Sequence, residues 1–182
     1  MIEQGDYSYA SITEQIPEVM LDQTKESDGE GYSFWLPIDS TVNDNQIFQL
    51  EKIFKHKLLD SFKYFLRQKH FIELNLGQNP RFFSVLPNLI LETYKKIIDN
   101  FYWTLLNRNY FPFAHYGDWG VLCFNANIPL PTFDYEIVIL DHDDEYQNKQ
   151  VYAPNFLTMF YNLDRELDQT IQQVRNHKKN NA

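Results

Sequence analysis

Hydrophobic residues in this chain change their spacing near residue 100, and a chain that does so folds neither as helices alone nor as sheet alone. Apolar positions at Ile47, Leu50, Phe54, Leu58, Phe62 and Phe65 recur at steps of three and four, which gathers them on one side of an α-helix. Asn43 or Asp44 stands where a side chain can cap that helix. A second helix is expected from about Leu86 to Ile98, with Pro87 tolerated in its first turn. After Asn100 the pattern turns to strands. Phe101 to Tyr110 is aromatic-rich, and Trp119 to Ala126 reads as a buried strand. Phe111 to Asp118 is expected to be a tight connection between them, with Gly117 in the turn. Tyr135 to Leu140 is a β-branched strand, and Asn155 caps a closing helix with Phe156, Phe160, Leu163 and Leu167 on one face. Helices, then strands, then a helix indicate an α+β fold, a central antiparallel sheet with helices packed against it.

The flanks of this pattern are simpler. Residues 1–30 are polar and weakly periodic, and Tyr32 to Pro37 is a short aromatic segment suited to an edge strand ended by proline. Phe71 to Gly77 alternates and suits a short strand, and Pro129 and Pro131 mark a loop. The division expected is an N-terminal extension or added sheet element at 1–40, a main domain at 41–170 and a polar tail at 171–182, frayed from Arg175. No internal repeat or low-complexity tract stands out.

Charge narrows the partners. The chain of 182 residues has a formal net charge of −9, which disfavours nucleic acid and anionic membrane surfaces and favours a basic protein. Residues 1–30 hold eight acids (Glu3, Asp6, Glu14, Glu18, Asp22, Glu26, Asp28 and Glu30) against Lys25. A second acidic cluster comprises Asp134, Glu136, Asp141, Asp143, Asp144 and Glu145. Lys52, Lys55, Lys57, Lys63, Arg67 and Lys69 lie between the two and read as the solvated face of an amphipathic helix, with His56 and His70 exposed among them. No stretch is apolar enough to span a bilayer, and the N-terminus lacks the basic start and apolar run of a signal peptide, so a cytoplasmic location is expected. The one cysteine, Cys123, excludes an intrachain disulfide, and its apolar setting suggests a buried, inert thiol.

The run Phe111-Pro112-Phe113-Ala114, then Gly117-Asp118-Trp119-Gly120 and a strand at 121–126, resembles the signature of the SUKH superfamily, the Smi/Knr type. The strand Ile137 to Asp141-His142 and the capped helix at Asn155-Phe156-Leu157 are similar to later parts of that signature. Leu58-Leu59-Asp60-Ser61-Phe62 resembles the family's opening helix without its leucine-proline step, and only Asn75-Leu76-Gly77 comes near its asparagine-glycine-glycine phrase. The resemblance covers roughly residues 47–168. It implies helices packed on a central sheet. It also implies a non-catalytic immunity protein that binds and neutralises a cognate toxin, commonly a nuclease or deaminase, or an intracellular regulatory scaffold of the same fold. An acidic surface suits the first role, because nucleic-acid-cleaving toxins have basic grooves.

The residues that tempt a chemical reading have plainer ones. Phe113, Ala114, Gly117 and Asp118 read as a structural turn motif, with Gly117 at positive φ and Asp118 bonding the turn backbone. The loop Asp141-His142-Asp143-Asp144-Glu145 has oxygen ligands but neither the alternation nor the glycine of an EF-hand. His115, His142 and Asp118 lack the spacing of a zinc hydrolase, and Cys123 with His115 makes a weak thiol site. A small metal-dependent hydrolase is therefore the third reading. No catalytic residue, metal or cofactor is assigned. Asp134, Glu136, Asp141, Asp143, Asp144 and Glu145 are the candidate partner-binding residues, and a homodimer stays open. Tyr102, Trp103, Tyr110, Tyr116 and Trp119 are core material or exposed anchors, a choice the sequence does not make.

Overall fold

A computed structural model describes residues 10–12, 15–26, 29–76, 79–127 and 134–180. Gly77, the loop at Pro129 and Pro131, and the acids Glu3, Asp6, Glu14 and Asp28 lie outside the described residues. The strands are β1 (Ala10–Ile12), β2 (Tyr32–Phe34), β3 (Ile38–Asp39), β4 (Lys69–His70), β5 (Leu74–Asn75), β6 (Arg81–Phe82), β7 (Tyr110–Tyr116), β8 (Gly120–Asn125), β9 (Glu136–Asp141) and β10 (Lys149–Ala153). The α-helices are α1 (Asp44–Phe54), α2 (Asp60–Leu66), α3 (Ile90–Ile97), α4 (Trp103–Asn107) and α5 (Phe156–Asn180). Strands β5 to β10 form one antiparallel sheet in the order β10-β9-β8-β7-β6-β5, the α+β arrangement expected. Strand β1 pairs with β2, and β3 with β4, in two separate ribbons.

The long apolar stripe belongs to two helices rather than one. Asn43 starts α1 with a reciprocal cap: its side chain accepts from the Gln46 amide, and the Gln46 side chain accepts from the Asn43 amide. Lys55 then turns left-handed, at φ 60°, and closes the helix. Glu51 secures the corner. Buried at its end of α1, it accepts from the Leu58 amide at 3.1 Å and pairs with Lys57 at 2.7 Å and Lys63 at 3.3 Å. Burial would raise its pKa, but these donors bring it below the ordinary value. Leu58, Leu59, Phe62 and Leu66 continue the buried side beyond the corner.

A second correction concerns residues 98–118. The chain stays helical past Asn100: a π turn at Ile98–Tyr102 links α3 to α4, and Ile98, Tyr102 and Leu105 are buried at helical spacing. The expected connection from Phe111 to Asp118 is instead mostly strand β7, with Phe113 and Ala114 wholly buried inside it. Pro112 is tolerated there because the pairing with β8 shifts between Pro112 and Ala114, a bulge that does not need the missing N–H. The turn proper is Gly117 to Trp119. Gly117 holds φ +57°, and Asp118 is exposed with no hydrogen bond to a described residue, so the turn rests on the glycine.

One side of the sheet is packed with phenylalanine. Phe62 and Phe65 from α2 and Phe156 and Phe160 from α5 meet Phe82, Phe113 and Phe124, with ring centroids between 4.4 and 6.0 Å for Phe113–Phe124 and Phe62–Phe113. Tyr102 lies on the other side, against Phe83 and His115. Ile16, Met20 and Trp35 join the same buried cluster, so the N-terminal residues contribute to the core without adding to the large sheet. Asn155 caps α5 through a 2.8 Å bond from the Thr158 amide, and the helix runs on to Asn180 through the segment from Arg175 that was expected to fray.

Lys52, Lys55, Lys57, Arg67 and Lys69 are exposed, but they lie along α1, α2 and β4 rather than on one helix face. The two histidines among them differ. His56 is half-buried, 4.7 Å from the Phe111 ring. His70 is wholly buried, contrary to expectation. The Thr41 amide donates to its Nε2 at 2.9 Å, which leaves Nδ1 to donate to the Val85 carbonyl at 3.0 Å. That pair of bonds fits a neutral ring, and burial lowers its pKa accordingly.

Candidate functional site

Strand β9 divides the six candidate acids into two groups. Asp134 and Glu136 lie at its start, and Asp141 at its end, where Asp143, Asp144 and Glu145 follow in the turn to β10. Five residue steps of strand separate Glu136 from Asp141, about 17 Å at the usual rise. No single contact surface of small size collects all six.

The Glu136 end is internally satisfied. The buried Asn125 amide donates to Glu136 Oε2 at 3.0 Å, and Lys149 Nζ approaches the same oxygen at 3.3 Å. Asn125 Oδ1 in turn accepts from the Asn127 backbone and side chain, at 3.2 and 3.1 Å. Asp134 caps its own neighbour, accepting from the Tyr135 amide at 2.8 Å.

The turn is built differently. Antiparallel strands need a reversal, and here Tyr146 N–H returns to the Asp141 carbonyl at 2.8 Å while Glu145 N–H donates to the His142 carbonyl at 3.1 Å. Glu145 and Tyr146 both adopt left-handed backbone, at φ 56° and 62°, an uncommon state for residues with side chains. Tyr146 compensates by resting its ring against Tyr102, 6.2 Å away. Asp141 accepts from the Asp143 amide at 2.8 Å, and Asp144 accepts from the Gln147 and Asn148 amides at 3.0 Å each. Desolvation would raise the Asp144 pKa, but these amides bring it below the ordinary carboxylate value. The turn is also bonded to its neighbour, since His142 N–H donates to the Trp119 carbonyl at 3.0 Å.

Basic partners separate the turn from Glu136 but not from every acid, since Asp134, Glu92 and Asp99 also have no lysine or arginine within 4.0 Å among the described residues. Glu51, Asp44, Asp39, Glu73 and Glu136 each have a lysine or arginine within 4.0 Å. Among the described residues none stands that close to Asp141, Asp143, Asp144 or Glu145; only His142 approaches, 3.1 Å from Asp143. The negative charge of the turn is therefore fixed in place and left to act outward.

Three side chains here have the spacing of metal ligands: donor atoms of Asp141, His142 and Asp143 lie within 4.8 Å of one another. His115 and Asp118 do not belong to that group. His142 Nε2 lies 3.1 Å from an Asp143 carboxylate oxygen, and Asp141 accepts from the Asp143 amide, so these neighbours already occupy part of the group. Cys123 is wholly buried in β8, and burial raises its pKa well above the ordinary value, which keeps it a thiol.

Strand β10 and the Tyr102–His115 contact were not found from sequence. Lys149-Gln150-Val151-Tyr152-Ala153 is a largely exposed edge strand with a bulge, so it lacks the apolar alternation that marks a strand. Of the aromatics, Tyr102 is core, whereas Trp103 is 58% and Trp119 39% exposed. No helix among the described residues is long and apolar enough to cross a membrane. No protein-family model matches the chain, and no curated protein matches it.

Proposed function

We propose that this chain is a non-catalytic protein-binding module that neutralises a basic toxin, using the β9–β10 turn as its charged contact. The observation that carries the reading is the turn itself: Asp141, Asp143, Asp144 and Glu145 sit on a backbone fixed by hydrogen bonds, with no lysine or arginine of the described residues to neutralise them. A rigid, uncompensated acidic turn steers a basic surface and loses little entropy on contact. The α+β architecture is compatible with a Smi/Knr-type immunity protein, and the resemblance in residues 111–126 supports that family reading.

The test is a pull-down from native-cell lysate with the full chain as bait and a salt step for elution. A variant bait carries Asp141, Asp143 and Asp144 changed to Asn and Glu145 to Gln. One dominant basic protein, toxic when expressed alone and held only by the unaltered bait, is the expected result. Equal capture by both baits, or capture of many proteins that salt does not release, would count against the proposal.

A further inference from the structure

Two side chains able to carry positive charge stand next to each other on the side of the sheet away from α2 and α5. Arg81 on β6 and His115 on β7 are direct cross-strand partners, so their Cβ atoms lie about 5 Å apart. Their neighbours Phe82 and Ala114 are paired on the opposite face, where Phe82 meets Phe65 and Phe160. Burial, and then the Arg81 charge, lower the His115 pKa, so a neutral ring stands beside the arginine, and nothing in the strand pattern requires this pair.

The π turn brings in a third group. Single π turns recur at functional sites because the extra residue re-aims a side chain. Here the turn at Ile98–Tyr102 sets the Tyr102 ring parallel to Phe83, at 6.0 Å and 18°, with its hydroxyl 3.1 Å from His115 Nδ1. Tyr102 is 7% exposed, and burial pushes its pKa far above the ordinary value, so the hydroxyl keeps its proton. A buried hydroxyl gives its proton to an acceptor, and His115 Nδ1 is the acceptor in reach. The His115 proton is therefore on Nε2. No described residue bonds Nε2, and the atom is not sealed from solvent. Arg81 is half exposed, and its carboxylate neighbour Glu73 is 3.9 Å away, at the outer limit of an ion pair. Most of its N–H groups keep no protein acceptor among the described residues.

We infer that Arg81 and His115 together bind a small oxyanion, the phosphate or carboxylate group of a soluble ligand, with Tyr102 as the residue that positions the imidazole. The guanidinium offers a planar pair of N–H groups, and His115 Nε2–H adds a donor from the adjacent strand. The site meets the acidic turn where Tyr146 rests against Tyr102, but its test does not use the turn's carboxylates. The other titratable groups around the ring are Glu73 beside Arg81, Tyr146 across Tyr102, and Cys123 on β8.

The experiment adds inorganic phosphate and acetate separately to the full chain at fixed ionic strength, with chloride as control, and follows the His115 ring by NMR. Phosphate, acetate or both should shift its signals saturably, and the anion that does so identifies the group accepted. Arg81→Gln should weaken the response about tenfold, as expected for loss of a charge-assisted pair. Tyr102→Phe keeps the ring packed and should release His115 from a single tautomer, seen in its two nitrogen shifts, with binding reduced several-fold. The site is overturned if neither anion moves the ring more than chloride does, or if R81Q responds as strongly as the unaltered chain.

Discussion

At one end of β9, Glu136 accepts from the buried Asn125 amide and pairs with Lys149; at the other, Asp141 opens a turn whose carboxylates meet backbone N–H groups and one histidine. Both ends are acidic, and both follow from the same strand. The difference is what surrounds them. Where a lysine and an amide converge, a carboxylate becomes part of the fold. Where only backbone donors converge, its position is fixed but its charge is not cancelled. Counting acids along the chain treats the two ends alike, and the partners separate them.

The largest way to break this comparison is to remove the platform that both ends share. Phe124 on β8 pairs with Ile137 of β9 and touches Phe62, Phe113 and Phe156. Phe124→Ala should destabilise the chain by about 3–5 kcal/mol, read as a lower denaturant midpoint. Both ends should be lost in one transition; separate transitions would show that the turn is not held by the strand.

Asn125→Ala should act on one end alone. It removes the donor to Glu136 and the acceptor for Asn127, and should cost about 1–3 kcal/mol. Backbone NMR signals of residues 141–148 should stay where they are.

The reverse experiment neutralises the turn. Changing Asp141, Asp143 and Asp144 to Asn and Glu145 to Gln keeps oxygen acceptors for the turn amides, so stability should move by no more than about 0.5 kcal/mol. The on-rate for a basic partner at low salt should fall about tenfold, whereas Glu136→Gln should leave it within about twofold. Stopped-flow association decides between these outcomes.

Acid titration gives the smallest effect and separates core from turn. His70 has a lowered pKa in the folded chain, so its contribution is complete above the ordinary 6.5 and declines as pH falls below that toward the folded value. Asp144 is also lowered, but its contribution is complete above the ordinary 3.8 and is lost as pH falls through its folded value. As pH falls from 6.5 toward the folded His70 value, denaturant stability should fall with a slope of less than one proton's full linkage from this residue, while Asp144 stays ionised. A His70→Gln variant should show a smaller decline, the remainder coming from His115, whose pKa burial also lowers.

Much of this fold was legible in residue spacing. The capped start of α1, the strands at 120–125 and 136–141, and the Asn155 cap all follow from local pattern. The corner at Lys55 was hidden because its cause is Glu51 reaching forward to Leu58, Lys57 and Lys63, with no glycine or proline to mark it. Residues 98–107 look strand-like in composition, yet Ile90, Tyr94, Ile98, Tyr102 and Leu105 continue the helical step, and their burial overrides aromatic propensity. His70 was misplaced because its lysine neighbours are exposed, while the β3–β4 pairing and Val85 enclose the ring itself. The acidic turn could be located from sequence, since it follows a strand. Its lack of basic neighbours, and the meeting of Arg81, His115 and Tyr102, depend on strand register and on a π turn.

Cys123 gives the molecule a clock of its own. The thiol is enclosed in β8, between β7 and β9, and the chain holds no other. A thiol reagent has nothing to attack until the central strands part, so every modified molecule records one opening of the sheet. With reagent in enough excess that capture outpaces reclosing, the rate of labelling counts how often the core exposes itself, in a protein with no substitution.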